Sequence, residues 1–393
     1  HKWKGLAHHF GGVPTIKMSG RKILWLHALS MGEVVAATPV LKLVREHNPG
    51  LTIALSVTTE SGYTTALKMN IADNVFFHPL DCLPFTLLAL KRINPNLHVV
   101  TDTGFWPGLI DLLHRKKTPI LLFNGRISEK SARRYLIAGS LFKDTFQKFH
   151  HLGMQNNNGE KAALNLGVAR ERIEVMGDPK YDAQQPLTDE EKKQLRKTFK
   201  LEVGTPVWIA GSTHAGEEEI ILDAHQQLTA EHPNLVLILA PRRIERVEEV
   251  ATLLKKRNIS FALRSSLKHA ETVILLDTMG ELAKVYSLGQ VAFIGKSLVK
   301  PGGGHSLIEP LSYGLPVLHG PFVENIGHVA DKAHELELAI TVQNSRDIKE
   351  KVYGFLKNKS LRQELTENAL SFTTEQKGAS EKMAKIITKT LTI

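Results

Sequence analysis

The chain has 393 residues, of which 42% are hydrophobic and 23% are charged, with a formal net charge of +10. This composition excludes an intrinsically disordered chain, and the length predicts two domains. The single cysteine, Cys82, excludes a disulfide framework. The sequence contains no run of about 18 apolar residues that would predict a membrane span. Because the chain begins at His1 without an initiator Met, we expect that a leading segment, such as a membrane anchor, is missing from it.

The positive charge lies almost entirely in the first half. Residues 1–183 hold 23 Lys and Arg against 14 Asp and Glu, a net charge of +9. Clusters such as Arg115-Lys116-Lys117 indicate an acidic partner, for which nucleic acid, a phosphorylated lipid and an anionic bilayer are the alternatives. For individual lysines a solvated helix face is the simpler interpretation. No nucleic-acid-binding motif accompanies the clusters and aromatic residues are only 6% of the chain, so nucleic acid is not an expected partner.

In the first half, apolar runs alternate with helix-like stretches. Residues 23–27 predict a strand, which is followed by the turn Ser30-Met31-Gly32-Glu33 and a helix from about Val34 to Glu46. Further strands are predicted at residues 51–58, 75–77, 97–100 and 120–123. This alternation predicts a parallel sheet that is covered on both faces and has right-handed connections.

The pattern restarts after a polar segment near residues 180–187, where Thr188 and Glu191 have the spacing of a capping box. Strands are then predicted at residues 207–210, 235–239, 273–276 and 291–294. The sequence therefore predicts two α/β domains, residues 1–184 and 185–393. The last helix, residues 380–391, has apolar residues at helical spacing for packing onto one domain, and the first domain is the candidate.

Glycine and polar residues follow the predicted strands, where parallel sheets bind ligands. The most informative stretch is Gly302-Gly303-Gly304-His305-Ser306-Leu307-Ile308-Glu309-Pro310. Three consecutive glycines predict a backbone that approaches a ligand closely and offers N–H groups to a phosphate at a helix start. Glu309 lies about one turn further on, within reach of ribose hydroxyls. The order of strand, glycine-rich turn, His and Glu-Pro predicts the nucleotide-sugar site of a glycosyltransferase.

Three residues of the first half follow strand ends and are candidates for chemistry. Glu33 is placed to act as a general base towards an acceptor hydroxyl, or only to stabilise the helix dipole. Asp102 either supports an acceptor pocket or caps the following helix. Arg126 either binds a carboxylate or phosphate through two hydrogen bonds or is a surface arginine.

The second half has its own candidates. Ser212 and Thr213 form either a phosphate cradle at a helix start or an ordinary cap with Glu217 as its partner. Arg242, after Pro241, is a candidate contact to a phosphate or base, and the turn Met279-Gly280-Glu281 offers backbone groups to a base or ribose. No metal site is predicted, because no H-E-x-x-H or Cys/His ligand spacing occurs.

From about Phe10 to Ile393, the chain resembles the 3-deoxy-D-manno-octulosonic acid (Kdo) transferases of lipopolysaccharide synthesis. The stretches that carry the resemblance are His27-Ala28-Leu29-Ser30-Met31-Gly32-Glu33, Trp106-Pro107, Asn124-Gly125-Arg126-Ile127-Ser128, Gly177-Asp178-Pro179-Lys180-Tyr181-Asp182, residues 210–217, Pro241-Arg242, Met279-Gly280-Glu281, Gly303-Gly304-His305 to Glu309-Pro310, and Gly320-Pro321 with Asn325.

The resemblance implies a GT-B fold of two Rossmann-like domains with a cleft between them, the first binding the acceptor and the second the donor. It implies an inverting enzyme that moves Kdo from CMP-Kdo to a phosphorylated lipid A precursor, with no cofactor and no metal. It further implies work at the cytoplasmic face of the bacterial inner membrane, where an N-terminal anchor usually holds the family.

The resemblance also implies roles for individual residues. Glu33 is implied as the catalytic base, with Asp102 and Lys180 as further catalytic residues. Acceptor contacts are implied for Ser30, Gly32 and Arg126. Donor contacts are implied for Ser212, Thr213, Pro241, Arg242, Met279, Gly280, Glu281, Ser306, Leu307, Ile308, Glu309 and Asn325.

The chain departs from the family pattern at three places. It has Asp102-Thr103-Gly104 where the family commonly has Glu-Thr-Glu, and Ser306 where the family has Asn. It also has Gly177-Asp178-Pro179-Lys180 where the family has Gly-Asn-x-Lys. These departures leave two alternatives open, a GT-B enzyme that uses a UDP-sugar and a pseudo-transferase that binds lipid A or nucleotide with little or no transfer.

Overall fold

The computed structural model describes residues 2–16, 20–102, 104–127, 131, 134, 135, 137, 140–269 and 271–392. The chain forms two compact units, one of residues 1–183 with 376–393 and one of residues 184–375. Thr103 and Ser128, which belong to two of the motifs above, lie outside the described residues.

The first unit is built on a parallel sheet with the order β3-β2-β1-β4-β5-β6-β7. Its strands are β1 (Ile23–Ala28), β2 (Thr52–Val57), β3 (Asn74–Phe77), β4 (Leu97–Thr101), β5 (Ile120–Gly125), β6 (His151–Met154) and β7 (Ile173–Val175). Strand β1 pairs with both β2 and β4, so the strand order reverses between β1 and β4. In open sheets of this kind ligands bind at such a reversal, beyond the carboxyl ends of the strands.

Helices cover both faces of this sheet. They are α1 (Lys2–His9), α2 (Met31–His47), α3 (Glu60–Met69), α4 (Leu83–Ile93), α5 (Pro107–Arg115), α6 (Ser140–Gln147), α7 (Asn157–Asn165) and α8 (Lys180–Ala183), with a 3₁₀ turn at Arg170–Arg172. Side chains alternate along β1, so that Trp25 packs in one apolar cluster and Leu24 and Leu26 pack in the other. A strand buried on both faces explains the unbroken apolar run in the sequence.

The second unit repeats the architecture with the sheet order β10-β11-β9-β8-β12-β13-β14. Its strands are β8 (Val207–Thr213), β9 (Val236–Pro241), β10 (Phe261–Leu263), β11 (Val273–Leu275), β12 (Val291–Ile294), β13 (Val317–His319) and β14 (Ala339–Thr341). The order reverses between β8 and β12, which are hydrogen-bonded neighbours.

The helices of this unit are α9 (Asp189–Thr198), α10 (Glu217–Glu231), α11 (Val247–Lys256), α12 (Leu282–Val285), α13 (Ile308–Ser312), α14 (Gly327–Glu335), α15 (Ser345–Lys357) and α16 (Lys359–Glu375), with 3₁₀ turns at Ile244–Arg246, Arg264–Ser266 and Tyr286–Leu288. Helix α9 begins with the capping box that the sequence predicts. The Thr188 N–H donates to Glu191 Oε2 at 2.8 Å and the Glu191 N–H donates to Thr188 Oγ1 at 3.2 Å.

The last helix, α17 (Ala379–Thr392), belongs to the first unit rather than to the unit that precedes it in the chain. Its buried residues Met383 and Ile387 join the apolar cluster that contains Val34 of α2. Asp182, on α8, accepts hydrogen bonds from the Gly378 and Ser380 N–H groups at 2.7 Å each. Within the described residues, no helix combines the length and the apolar character needed to cross a bilayer.

Candidate active site

Glu33 lies in the first turn of α2, directly beyond the carboxyl end of β1 and therefore at the reversal of the first sheet. Its Oε2 accepts hydrogen bonds from the Ser30 hydroxyl at 2.6 Å and from the Ser30 N–H. Within the described residues both of these bonds reach the same oxygen, and the side chain is half-buried. The structure thus shows the helix-capping contact, and it leaves Oε1 of the carboxylate for other chemistry.

Asp102 follows β4, the strand on the other side of the reversal. It has a left-handed backbone with φ of 58°, which non-glycine residues adopt at a cost and which clusters at functional sites. Its side chain is 13% exposed, and Oδ2 lies 3.7 Å from Arg126 Nη1. The Asp102 N–H donates to the Phe123 carbonyl oxygen at 2.9 Å, which holds this conformation against β5.

Burial and the surrounding charges shift the pKa of the Asp102 carboxyl group. Burial raises its pKa from 3.8 to about 6, the carboxylates of Glu33 and Asp178 add to the rise, and the Arg126 and Lys180 cations oppose it. The structure therefore brings Glu33, Asp102, Arg126 and Lys180 into one electrostatic cluster within the first unit. Perturbed carboxyl groups of this kind are typical of functional sites.

Lys180 begins α8, and its N–H donates to Asp178 Oδ1 at 2.9 Å. Asp178 is 8% exposed, so its carboxylate is a structural part of the cluster. Sequence reasoning assigned Asp178 no role of its own, although the residue lies in a motif that carries the family resemblance. The hydrogen bond from the Lys180 N–H explains why an Asp is suitable at position 178, because an Asp two residues before a helix start closes a short turn onto the helix backbone.

Gly104, where the family commonly has a glutamate, is buried against β1. A Cβ atom at this position would lie 3.3 Å from His27 Cδ2 and 3.3 Å from Leu29 Cγ. His27 is itself fully buried, and its Nε2 accepts a hydrogen bond from Trp106 Nε1 at 3.0 Å. The His27 ring and the Leu29 side chain therefore occupy the space that a side chain at position 104 would enter.

In the second unit, the predicted residues lie at the carboxyl ends of β8 and β9, and β8 borders the reversal of that sheet. Ser212 has a left-handed backbone with φ of 57°, and the strand register shifts between Gly211 and Thr213. Thr213 is fully buried, so of the predicted pair only Ser212, which is half-buried, reaches the surface. The exposed Arg242 follows β9 beyond Pro241, and its N–H donates to the Thr213 carbonyl oxygen at 3.0 Å.

The structure of the glycine-rich turn, residues 302–304, differs from the expectation that its N–H groups are exposed to a ligand. The N–H groups of Gly303 and Gly304 do not face outwards, because they donate to the carbonyl oxygens of Phe322 at 3.1 Å and Lys296 at 2.7 Å. A Cβ at Gly302 would lie 2.0 Å from Phe322 Cβ, and both Gly303 and Gly304 have positive φ. These glycines therefore serve close packing of two loops, and the expectation that Gly303 and Gly304 offer N–H groups to a phosphate was wrong.

The remaining predicted donor residues lie close to this turn or at the turn 279–281. Ser306 Oγ accepts from the Ile308 N–H at 3.3 Å, Leu307 and Ile308 are buried, and Glu309 is half-buried at the start of α13. The Asn325 N–H donates to the Gly303 carbonyl oxygen at 2.9 Å, which joins that residue to the same loop.

The turn Met279-Gly280-Glu281 has an exposed Met279 and a Gly280 with φ of 84°. The Glu281 carboxylate accepts from Arg264 Nη2 at 2.8 Å and from the Thr278 hydroxyl. Arg264 is a residue that sequence reasoning missed, because it precedes its partner by 17 residues and lies in no motif.

Comparison with known proteins shows which family the chain belongs to. The family model of the 3-deoxy-D-manno-octulosonic-acid transferases (kdotransferases) matches residues 4–183. A 3-deoxy-D-manno-octulosonic acid transferase of Haemophilus influenzae is 34% identical over 392 residues, which cover 97% of this chain and 90% of the relative. The chain belongs to the Kdo transferase family. A probable mitochondrial member from Arabidopsis thaliana is 31% identical over 90% of this chain and 83% of its own length.

Solved structures place this Kdo transferase family member in the GT-B fold class. A UDP-GlcNAc 2-epimerase of Neisseria meningitidis matches with a TM-score of 0.64 and 16% identity, over 94% of this chain and 99% of that one. At this identity the likeness shows the fold alone, and it confirms the predicted class of two Rossmann-like α/β domains. The family model covers the segment that holds Glu33, Asp102, Arg126 and Lys180.

Proposed function

We propose that this chain transfers Kdo from CMP-Kdo to a phosphorylated lipid A precursor in lipopolysaccharide synthesis. The observation that carries the proposal is the similarity to the Haemophilus Kdo transferase over 97% of the chain, because one relative accounts for both units. The cluster of Glu33, Asp102, Arg126 and Lys180 supports it, since a transferase needs a base for the acceptor and cations for a phosphate leaving group.

In the proposed reaction Glu33 is the general base. A hydroxyl of the acceptor gives its proton to the Glu33 carboxylate while its oxygen forms a bond to the anomeric carbon of Kdo. The bond between that carbon and the phosphate oxygen breaks, and CMP leaves with the electron pair. A single displacement of this kind inverts the anomeric carbon. The two hydrogen bonds from Ser30 fix Oε2, which keeps the carboxylate oriented during proton transfer.

Cations and backbone groups stabilise the negative charge that develops on CMP. We assign this role to Arg242 and Lys180, both placed beyond strand ends, together with helix N-termini. Asp102, which takes the place of a family glutamate, lies next to Arg126 and is a further proposed catalytic residue, and Arg126 with Ser30 and Gly32 forms the proposed acceptor contacts. Above pH 6 the ionised Asp102 orients the Arg126 guanidinium for an acceptor phosphate.

The second unit is the proposed donor-binding unit. Ser212, Pro241 and Arg242 contact the phosphate and base, and Ser306, Glu309 and Asn325 contact the ribose and Kdo. Leu307 and Ile308 are buried, so no contact with the donor is assigned to them. Because the Glu281 carboxylate is already bound by Arg264 and Thr278, we assign the contact at residues 279–281 to the backbone. Thr213 is fully buried, so no contact with the donor is assigned to its side chain.

An apolar and basic surface on the first unit fits an anionic membrane. The start of α4 and the segment before it expose large apolar side chains, with Leu83 at 61% and Leu80 at 49%, and α1 adds Leu6 at 49%. Phe10, 47% exposed and directly after α1, contacts Phe85 of α4 edge to face, with the ring centroids 5.1 Å apart, which brings the end of α1 against α4. Patches of this kind on a soluble surface mark interaction sites.

Cations lie next to this patch. A cavity of about 690 Å³ has apolar walls that include Leu87 and Leu90, and its lining also contains Lys91, Arg92, Arg115 and Lys116. Apolar side chains beside lysines and arginines are the combination that binds the headgroup region of an anionic bilayer. We therefore propose that the first unit docks on the cytoplasmic leaflet of the inner membrane, where the lipid acceptor resides.

The proposal is tested by incubating the full chain with CMP-Kdo and a lipid A precursor and reading the product by mass spectrometry. A mass increase of one or more Kdo residues on the acceptor supports it. Calorimetric titration with CMP and with UDP separates the alternatives. Binding of UDP without CMP indicates a UDP-sugar enzyme, and binding of CMP without a product indicates a pseudo-transferase.

A further inference from the structure

Glu217, the first residue of α10, buries its carboxylate completely in the second unit. Its Oε2 accepts from the N–H groups of His214 at 2.9 Å and Lys296 at 2.8 Å. Its Oε1 accepts from the N–H groups of Ser297 and Leu298, at 2.9 Å each. Within the described part of the chain these four partners are backbone groups, and no cation lies within ion-pair distance. A buried charge costs free energy unless such hydrogen bonds compensate it.

Three of the four donors belong to the consecutive residues 296–298, which follow β12 after Gly295. Lys296 has a left-handed backbone with φ of 60°, and this turns the N–H groups of residues 296–298 towards one point. Successive N–H groups that converge in this way form a concavity that binds anions. Here the anion is the Glu217 side chain, so the loop 295–298 depends on a carboxylate supplied from the start of α10.

The same loop holds the proposed donor-binding segment. The Gly304 N–H donates to the Lys296 carbonyl oxygen at 2.7 Å, and the His305 N–H donates to the Gly295 carbonyl oxygen at 3.2 Å. These bonds fix the residues that immediately precede the segment 306–309. A displacement of the loop 295–298 therefore moves the backbone that leads into that segment.

A second connection runs through Ser297 to the loop that contains Asn325. The Phe322 N–H donates to the Ser297 carbonyl oxygen at 3.0 Å, and the Gly320 N–H donates to Ser297 Oγ at 2.8 Å. Ser297 is fully buried, so both bonds lie in the interior. The loop 295–298 is thus the common support of the two segments to which the proposed function assigns the donor.

We propose that Glu217 is a positioning residue for donor binding, which holds the loop 295–298 and through it the segments 306–309 and 320–325 in the conformation that accepts a cytidine nucleotide. The inference rests on the proposed function, because the nucleotide contacts are those proposed above. Glu217 itself does not touch the donor. It acts through the four backbone hydrogen bonds.

The test is Glu217→Gln in the full chain, titrated with CMP in a calorimeter. The amide has nearly the same size, but its NH₂ group faces two backbone N–H donors where a carboxylate oxygen accepted from both. If the competent loop conformation falls to a tenth of the population, the apparent Kd for CMP rises about tenfold. In steady-state assays we expect the KM for CMP-Kdo to rise and the KM for the acceptor to stay unchanged.

His225→Ala is the matched control on the same helix. His225 is 1% exposed, and its ring nitrogens contact Trp208 Nε1 at 3.1 Å and the Thr272 carbonyl oxygen at 2.9 Å. We expect the variant to lose buried hydrogen bonds and to have a lower thermal midpoint, whereas the hydrogen bonds and ring contacts of His225 within the described residues involve Trp208 and Thr272 and not residues 295–305. We expect its Kd for CMP to remain within about twofold of the parent, at a temperature well below both midpoints.

The outcomes separate the inference from the function on which it rests. A parent that binds CMP, with Glu217→Gln weakened and His225→Ala unchanged, supports the positioning role. Unchanged affinity in Glu217→Gln, or equal weakening in both variants, overturns it and leaves the proposed function intact. A parent that does not bind CMP overturns the proposed function and this inference with it. If Glu217→Gln does not fold, Glu217→Asp takes its place, because it retains the charge but is one methylene too short to reach all four N–H groups.

Discussion

The Asp102 carboxyl provides a measurable consequence of the charge cluster at the end of β4. Burial, together with the neighbouring Glu33 and Asp178 carboxylates, raises its pKa from 3.8 to about 6. The native protein therefore binds more protons than the unfolded chain between these two pH values. The free energy of unfolding falls as the pH rises from about 4 to about 6, and the loss is complete above that window. The difference between the pKa values corresponds to about 3 kcal/mol, at roughly 1.4 kcal/mol for each pH unit.

Asp102→Asn removes this titration and keeps the shape of the side chain. Asparagine tolerates the left-handed backbone that Asp102 adopts, so no new strain is introduced. We expect the variant to gain stability relative to the parent as the pH rises. The difference in free energy of unfolding between variant and parent should be about 2 kcal/mol larger at pH 8 than at pH 4, because part of the cost is already present at pH 4.

Urea denaturation followed by tryptophan fluorescence measures this difference, because Trp25 and Trp106 report on the first unit. Asp111→Asn is the control of opposite sign. The hydrogen bond from Lys148 lowers the pKa of Asp111, so this ionised carboxylate stabilises the fold at pH 8 and less so at pH 4. Its replacement should therefore cost more stability at pH 8. A difference between Asp102→Asn and the parent that is the same at both pH values would refute the reasoning.

Three further predictions concern the proposed function. Glu33→Gln should reduce Kdo transfer by about 10²–10⁴-fold and leave CMP affinity unchanged, as measured by product mass and calorimetry, whereas residual activity within a few-fold of the parent would contradict the base role. Arg242→Ala and Glu309→Ala should each weaken CMP binding in the calorimeter, and unchanged affinity in both would place the nucleotide elsewhere. Reversal of residues 115–117 to Glu should lower binding to anionic liposomes without changing CMP affinity, because it replaces three positive charges by negative ones. The effect should be largest at low salt, because exposed charges are screened beyond about 10 Å at ~0.1 M salt. Equal binding of parent and variant at low and high salt would reject membrane docking through these residues.

Local patterns in the sequence predicted the long elements well. The strand predicted at residues 120–123 is part of β5 and that at 291–294 is β12, because strands buried on both faces need unbroken apolar runs. The capping box of Thr188 and Glu191 was confirmed, since both residues lie within one helical turn. The sequence did not predict β6, β7, β10 or β14, which are only three or four residues long and carry too little periodicity to be recognised.

The candidate site divides in the same way. The sequence placed Glu33 and Asp102 after strands, and the parallel sheet then made them neighbours because β1 pairs with β4. That pairing, and with it the pKa of Asp102, depends on strand order, which no local pattern encodes. The sequence also supported an incorrect interpretation of Gly303 and Gly304, because a backbone that approaches another loop needs the same glycines as a backbone that approaches a ligand.

What the sequence determined by itself is therefore the class of the fold, the family and the positions where chemistry-bearing residues leave the strands. All of these depend on residue type and on spacing along a few consecutive turns. The apolar spacing of residues 380–391 made the first unit a candidate for packing the last helix, and the structure places that helix in the first unit. Only the tertiary structure decided that Glu217 accepts four backbone hydrogen bonds, three of them from residues about 80 positions further along the chain. A backbone N–H is the same in nearly every residue, so the sequence does not show which carboxylate it will meet.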